Sequence, residues 1–252
     1  MRVFPFLTIL IGVGLTASLT AGPETFDPLE AYKKANTLPS RPKSETVTQG
    51  TNTETARFKY ENGLLVRADY LNQKNIPTGY SLYEYDKGVL SREQLFDAGG
   101  NLTEDISYHY KSARLEKSLI HDIRGSARIE WHYGYDKDGK LVSGKRILDK
   151  KQTESFKLVP SPAGTTQHIY NAKGELTGKI ESVFENGLLR QRVKTGLTGA
   201  RYAEYRYNQK QQLVEIIYHE TVRGEKTFVK KHLFDYSLAA ESSAPTALRT
   251  GN

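Results

Sequence analysis

The sequence predicts an all-β protein, a long antiparallel meander of about 15 short strands built from two-strand repeats of about 25 residues. Three observations predict it. The chain of 252 residues holds 16 tyrosines but one methionine and one tryptophan, and tyrosine favours half-buried strands. Apolar and polar residues alternate over long segments, which is the pattern of a strand with one buried face. A tyrosine followed by a turn sequence recurs at a fixed interval.

Residues 1–21 have the layout of a secretory signal peptide. Arg2 supplies the positive charge, residues 4–15 form a short apolar run, and small and polar residues lead to Ala21. We expect cleavage after Ala21, although Ala17 also fits. The apolar run is shorter than the roughly 20 residues of a membrane span, so no transmembrane segment is expected after cleavage. Retention of the segment as an uncleaved anchor is the alternative.

The chain contains no cysteine and carries a formal net charge of +7. The lack of cysteine excludes disulfides, thiolate metal sites, cysteine nucleophiles and a lipoprotein anchor. An exported protein of this kind must obtain its stability from strand pairing and apolar burial. Basic residues are spread among acidic ones, so nucleic-acid binding is not expected. An envelope protein, an anionic glycan or an anionic lipid would suit the charge as a partner.

Residues 22–55 are predicted to be a flexible linker, because Pro, Ser, Thr and charged residues follow one another there without periodicity. Within it, a short helix could form after Asp27, which can cap the helix, with Pro28 in the first turn. The β-repeat domain is predicted at residues 56–238, and residues 239–252 are predicted to be a disordered tail.

The two ends of the β-repeat domain are predicted to be open sheet edges. The first strand begins at Ala56 and the last strand ends near Asp235. Unpaired backbone groups on such edges invite association with other chains, and lysine is one residue that prevents it. Lys226, Lys230 and Lys231 are therefore interpreted as protection of the last edge.

The repeat is marked by Tyr60, Tyr85, Tyr110 and Tyr135, which follow one another at intervals of 25 residues. Each stands directly before a turn sequence, and three equal intervals indicate a structural repeat. A second turn signal falls inside each interval, so one repeat consists of two strands and two turns. A looser continuation of the same pattern is predicted at Tyr170.

The turns are predicted from the backbone preferences of their residues. Asn-Gly and Asp-Gly pairs supply the positive φ that tight hairpins require, and an aspartate or asparagine can accept hydrogen bonds from the turn backbone. The predicted turn residues are Asn62, Gly63, Asp86, Gly88, Asp136, Gly139, Asn171, Gly174, Asn186 and Gly187. Fifteen strands would span about 70 Å if flat, so we expect the sheet to twist or curl, and it could close in part.

The sequence Tyr-x-Tyr-Asp-x-x-Gly-x-Leu at residues 133–141 resembles the tyrosine–aspartate (YD) repeats of RHS-type bacterial proteins. Residues 83–90 form a version that is one residue shorter, and residues 205–208 keep the start of the motif. The resemblance covers about residues 56–236 and implies an extracytoplasmic β-repeat sheet of the bacterial envelope. In large family members such a sheet winds into a shell around a toxin or presents a cell-surface binding face. The chain departs from the pattern at residues 111–113, where Asp and Gly are both replaced.

No catalytic motif is found in the sequence. The six histidines do not occur at metal-ligand spacing, and nucleophile elbows and phosphate-binding glycine loops are absent. We therefore expect a protein that is not an enzyme and uses no metal or cofactor.

The residues expected to carry function form an aromatic face of the sheet, because aromatic platforms bind sugars, peptides and lipid tails. They are Tyr83, Tyr85, Tyr108, Tyr110, Trp131, Tyr133 and Tyr135. The resulting hypothesis is an exported, non-enzymatic binding or structural module that contacts protein or glycan in the periplasm or at the cell surface. The alternative is a periplasmic carrier that holds a lipid or another hydrophobic ligand in a curved groove. In a third interpretation these rings are simply the core of the sheet.

Overall fold

The computed structural model describes residues 41–161, 164–196, 199–222 and 224–237. Within these residues the regular structure consists of sixteen β-strands. In chain order they are β1 (Ser44–Gln49), β2 (Asn52–Glu61), β3 (Leu64–Asn72), β4 (Pro77–Asp86), β5 (Val89–Asp97), β6 (Leu102–Lys111), β7 (Arg114–Asp122), β8 (Ala127–Tyr135), β9 (Leu141–Leu148), β10 (Lys151–Ser161), β11 (Gly164–Asn171), β12 (Leu176–Glu185), β13 (Leu188–Gly196), β14 (Gly199–Tyr207), β15 (Leu213–Val222) and β16 (Glu225–Asp235).

The strands form one closed barrel. Each strand pairs antiparallel with the next strand in sequence, and β1 pairs with β16 to complete the ring. The predicted antiparallel meander is therefore confirmed, and its curvature goes further than partial closure. Closure gives every strand two neighbours, which satisfies the backbone groups that an open sheet would leave at its edges.

The closing strand β1 lies inside the segment predicted to be a linker. Ser44–Gln49 pairs with β2 on one side and with β16 on the other, so the boundary at residue 55 is wrong. Val47 is the one large apolar residue of this strand, and the polar residues around it hid the alternation. The remainder of the predicted linker up to residue 40, the signal peptide and the tail from residue 238 lie outside the described residues.

The predicted sheet edges are also corrected by this closure. β2 and β16 each have two partners, so the last strand needs no protection against pairing. Lys230, assigned to that role, is 5% exposed and lies inside the barrel with its ammonium 4.9 Å from the ring centroid of Tyr218. Side chains alternate between the two faces of a strand, so Lys230 lies on the same inner face as the buried residues His232 and Phe234.

One end of the barrel, where each even-numbered strand finishes, is called here the tyrosine rim. Tyr60, Tyr85, Tyr110 and Tyr135 occupy this rim, as the repeat predicts. Each hydroxyl donates a hydrogen bond to a backbone carbonyl within two residues of the start of the preceding strand. This carbonyl lies just beyond the last paired residues of the two strands. The bonds are Tyr60 to Pro42 (2.9 Å), Tyr85 to Leu65 (2.9 Å), Tyr110 to Leu90 (2.9 Å), Tyr135 to Leu115 (2.8 Å), Tyr207 to Leu189 (3.0 Å) and Tyr236 to Leu213 (2.8 Å).

The turn predictions agree with the backbone. Asn62 and Gly63 have φ values of 48° and 83°, and Asn186 and Gly187 have 52° and 76°. Gly88, Gly139 and Gly174 also have positive φ, at 80°, 80° and 81°, and Asp86 ends β4 directly before its turn. The Asp136 carboxylate accepts hydrogen bonds from the backbone N–H groups of Asp138 and Lys140.

Tyr170 does not continue the tyrosine rim. It lies on β11, and the turn that follows, with Asn171 and Gly174, joins β11 to β12 at the opposite end of the barrel. The Asn171 side chain accepts from the backbone N–H groups of Lys173 and Glu175, as Asp97 does from Gly99 and Asn101. Similar turn sequences therefore occur at both ends, and the sequence motif alone does not identify the rim.

The inner face is mainly aromatic and aliphatic, with charged side chains such as Glu93, Arg192 and Lys230 buried among them. A first cluster of buried residues covers β1 to β10 and includes Leu90, Ile129 and Phe156, which are 0%, 2% and 2% exposed. A second cluster covers β11 to β16 and includes Ile180, Tyr205 and Phe234. Full burial of one such side chain stabilises the folded state by about 1.5–3 kcal/mol. The barrel interior is therefore a packed core over much of its length.

Removal of one rim hydroxyl tests the structural role of the tyrosines. Tyr85→Phe keeps the ring and loses the hydrogen bond to the Leu65 carbonyl, so the free energy of unfolding should fall by about 1 kcal/mol. Urea denaturation measures this change. The control Tyr170→Phe lies outside the tyrosine rim and should leave the midpoint within a few tenths of a kcal/mol. Equal stability of the two variants would contradict the role of the rim hydroxyls.

Candidate interior binding site

The seven aromatic residues predicted as a binding face all point into the barrel. Tyr83, Tyr108, Trp131 and Tyr133 are 5%, 8%, 6% and 8% exposed. Tyr85, Tyr110 and Tyr135 are half-buried at the tyrosine rim and are held by their hydroxyl groups. The structure brings the seven together as interior wall, so the geometry does not support an exposed platform for protein or glycan contact.

Hydrogen bonds between side chains fix several of these rings. The hydroxyls of Tyr70 and Ser81 are 2.8 Å apart, and those of Ser118 and Tyr133 are 3.2 Å apart. Burial raises the pKa of Tyr70, of Tyr83 and of Tyr108 well above the usual range for tyrosine. These hydroxyls therefore stay protonated and act as neutral hydrogen-bonding groups.

Carboxylates also face the interior. Glu93 is 1% exposed and Glu104 is 9% exposed. Burial first, and then the charges of Glu93 and Asp122, raise the pKa of Glu104 to about 8. Burial raises the pKa of Glu54 to about 7. Sequence reasoning missed these residues, although Glu104 has the same strand parity as Ile106 and Tyr108, which is the signal that places it inside.

A recess opens at the tyrosine rim among strands β9 to β13, and we call it the rim recess. Its volume is about 150 Å³. It is lined by Leu141, Phe156, Leu158, Thr165, Gln167, Ile180, Ser182, Phe184 and Arg192. Phe156 packs beside Trp131, with their ring centroids 6.1 Å apart, so the single tryptophan of the chain adjoins the recess wall. None of these lining residues belonged to the predicted site.

The rim recess is lined by both polar and apolar side chains. Thr165, Ser182 and Arg192 are successive partners on β11, β12 and β13, so they form a row across the sheet. Arg192 is 8% exposed. The apolar lining residues come from β9, β10 and β12, among them Leu158 on β10 and Ile180, which lies two residues from Ser182 on β12. An arrangement of this kind can hold an amphipathic small molecule.

The outer face of the barrel carries cross-strand ion pairs. Arg92 on β5 binds Asp105 on β6 through two bonds, Nε to Oδ1 at 2.8 Å and Nη2 to Oδ2 at 2.9 Å. Further pairs join neighbouring strands around the barrel. They are Lys59 with Asp69 (2.8 Å) and Arg206 with Glu215 (2.7 Å), and Lys226 on β16 reaches across β15 to Glu204 on β14 (2.6 Å). The outer surface is therefore polar in the middle of the strands as well as at the rims.

The described residues contain neither a metal-binding cluster nor a membrane-spanning helix. No group of three or more histidine, aspartate or glutamate side chains in this part of the chain has the geometry to hold a metal ion. The same residues contain no helix that is long and apolar enough to cross a membrane.

Comparison with solved structures identifies one porin-like protein of similar fold. A crystal structure of a porin-like protein from Bacteroides uniformis ATCC 8492 matches with a TM-score of 0.53 at 9% sequence identity, covering 77% of this chain and 96% of that chain. The chain is similar in fold to this porin-like barrel. A second porin-like protein, from Bacteroides vulgatus ATCC 8482, matches with a TM-score of 0.37 at 9% identity, covering 79% and 99% of the two chains. No protein-family model and no curated protein matches the sequence.

The buried acid Glu104 makes the stability depend on pH. Its pKa is 4.5 in an unfolded chain and about 8 in the barrel, so the folded state keeps a proton that the unfolded state has lost. The contribution of Glu104 to the stability is therefore fully present below about pH 5 and is lost as the pH rises to about 8, by an amount on the order of 3–5 kcal/mol. Glu104→Gln should flatten this fall and stabilise the protein at pH 9, while the two proteins differ little at pH 5.

Thermal melts across this pH range provide the measurement. Exposed Glu116 on β7 offers the matched control Glu116→Gln, which should follow the wild-type pH profile. A Glu104→Gln profile as steep as that of the wild type would show that Glu104 is not the group responsible.

Proposed function

We propose that the protein is an exported, non-enzymatic ligand-binding barrel of the bacterial envelope that works in water and holds its ligand in the rim recess. The single observation that carries the proposal is the distribution of side chains between the two faces, with most aromatic and aliphatic side chains inside and most cross-strand ion pairs outside. The layout of residues 1–21 supports export.

The outer face supports an aqueous location. A membrane barrel presents an apolar band about 25 Å tall to lipid, and an arginine or lysine at its middle costs about 2–4 kcal/mol. Arg92 and Asp105 lie near the middle of β5 and β6 on the outer face, and paired charges recur on other strands. Several such charges in lipid would together oppose insertion. The similarity to porin-like barrels is therefore taken for the fold, and the lipid-facing role is not carried over.

The inner face supports ligand binding in place of conduction. Buried aromatic rings fill the inner face from β2 to β8, so this part of the interior is occupied by side chains. The rim recess is open, amphipathic and large enough for a small molecule. This favours the carrier of a hydrophobic ligand, the alternative raised from sequence, over protein or glycan contact through an aromatic face.

The resemblance to YD repeats remains a proposal about the origin of the repeat. Its support is that Tyr60, Tyr85, Tyr110 and Tyr135 occupy equivalent places in successive hairpins. The net charge of +7 supports a further proposal, that anionic envelope components attract the outer surface.

Behaviour without detergent tests the aqueous location. The purified protein, without detergent, should elute as a single folded species and should not float with phosphatidylethanolamine–phosphatidylglycerol vesicles at about 1 M salt, where surface attraction is screened. Dye-filled vesicles of the same composition should not leak. Aggregation that detergent reverses, together with salt-resistant flotation and leakage, would contradict the proposal and favour a pore.

A further inference from the structure

The rim recess lies where the tyrosine rim is interrupted. Five rim tyrosines pair with the first inward residue of the next strand, as Tyr85 does with Leu90 and Tyr110 with Leu115, and Tyr236 directly follows the end of β16. On β10 the position of the rim tyrosine is occupied by Pro160, which pairs with Thr165. On β12 it is occupied by Phe184, which pairs with Leu189. In the described part of the chain these are the two even-numbered strands without a rim tyrosine.

The interruption removes hydroxyl donors from two adjacent hairpins. Leu141 begins β9 at the position that Leu65, Leu90 and Leu115 hold in earlier odd-numbered strands, where each carbonyl accepts from a tyrosine. Pro160 has no hydroxyl to donate, and Phe184 is 49% exposed at the mouth of the recess. The rim tyrosine of the repeat is therefore missing at the same place where the barrel interior becomes accessible.

The charge of the recess selects the ligand's polar group. Among its lining residues in the described chain, Arg192 carries the formal charge. Lys194, on the same face of β13, pairs with Arg201 on β14 and also interacts with the Glu154 carboxylate, so two cationic groups and one acid lie near Arg192. A buried guanidinium binds a carboxylate through two charge-assisted hydrogen bonds. The Ser182 and Thr165 hydroxyls extend this row, and neighbouring strands are about 4.8 Å apart.

The volume and the apolar lining of the rim recess determine which apolar group of a ligand fits. A cavity of about 150 Å³ lined by Leu, Ile and Phe holds a benzene-sized molecule in another protein. The rim recess has the same volume, and Phe156, Leu158 and Ile180 are among its apolar lining residues. A single aromatic ring is of the size that such a cavity holds, and the Phe156 ring offers it an aromatic neighbour.

We propose that the rim recess binds a small aromatic monocarboxylate, with the carboxylate on Arg192 and the ring against Phe156 and Leu158. Ser182 and Thr165 supply additional hydrogen bonds to the carboxylate. The inference rests on the proposed function, since it names the ligand class for the same recess. It predicts a preference for an anion over a neutral molecule of the same shape.

Benzoate and its neutral analogue benzyl alcohol are the probes. Binding is followed by the fluorescence of Trp131, whose ring adjoins Phe156, and by calorimetry. Benzoate should bind saturably and about tenfold or more tightly than benzyl alcohol, because charge-assisted hydrogen bonds exceed neutral ones by at least this factor. Equal binding of the two probes, or no binding of benzoate, would overturn the proposal.

Two variants locate the site. Arg192→Gln should weaken benzoate about tenfold or more while changing benzyl alcohol little. Pro160→Tyr places a tyrosine at the rim position beside Leu141, and should cover the recess and weaken both probes. The matched control Arg128→Gln, on the exposed outer face of β8, should bind like wild type. Benzoate binding that survives both site variants would place the ligand elsewhere and overturn the proposal.

The outcome is separable from that of the proposed function. A barrel that is folded and soluble without detergent but does not bind benzoate refutes this ligand class alone. A protein that inserts into vesicles refutes the aqueous location itself, whatever it binds. Circular dichroism and urea midpoints identify any variant that fails to fold, and the remaining variant then decides.

Discussion

The antiparallel pairing of β1 with β16 is the interaction on which the rest of the barrel depends, because it removes the two sheet edges that a sixteen-stranded meander would otherwise expose. It joins residues at opposite ends of the described chain, with Ser44 opposite Asp235 and Thr48 opposite Lys231. Behind this pairing, the His232 Nδ1 and Glu45 Oε1 atoms are 2.6 Å apart in the interior, across 187 residues of sequence. Closing so long a loop costs conformational entropy, which the ladder and this buried contact offset.

Closure determines what each face of the strands can do. Once the sheet is a ring, every second residue must face a confined interior, and the tyrosines, tryptophan and aliphatic residues fill it. The other face meets the surroundings and carries ion pairs such as Arg92 with Asp105. The tyrosine hydroxyls then bond to carbonyls at the rim where the ladders stop. Where two of these tyrosines are replaced, the packed interior opens into the rim recess.

Much of the fold could be predicted from the sequence because its signals are local. The 25-residue interval, the two-residue alternation and turn pairs such as Asn62 with Gly63 each depend on neighbouring residues. Closure could not be predicted, because β1 has one large apolar residue, Val47, and its pairing partner is distant in sequence. The opposite-rim position of the Asn171 turn was missed for a related reason, since the same turn chemistry serves both rims.

The candidate site could be predicted only in part. The parity of Tyr83, Tyr108, Trp131 and Tyr133 places them on one face, but composition cannot say whether that face is open or enclosed. The rim recess arises from an interruption of the pattern, at Pro160 and Phe184. Its polar row consists of one residue from each of three strands, brought side by side by the pairing register. Thr165, Ser182 and Arg192 therefore share no sequence motif.

Closure of the barrel can be measured most directly by a disulfide across the β1–β16 seam. Thr46 and Leu233 are directly paired, and opposed residues of antiparallel strands lie about 4.5–5.5 Å apart, which is within the range a disulfide spans. The chain has no cysteine, so Thr46→Cys with Leu233→Cys introduces a single pair. Mild oxidation should yield a monomeric, cross-linked protein with wild-type melting behaviour, whereas Thr46→Cys with Ile147→Cys on β9 should not cross-link within one chain. Failure of the seam pair to cross-link in folded protein would contradict the closed barrel.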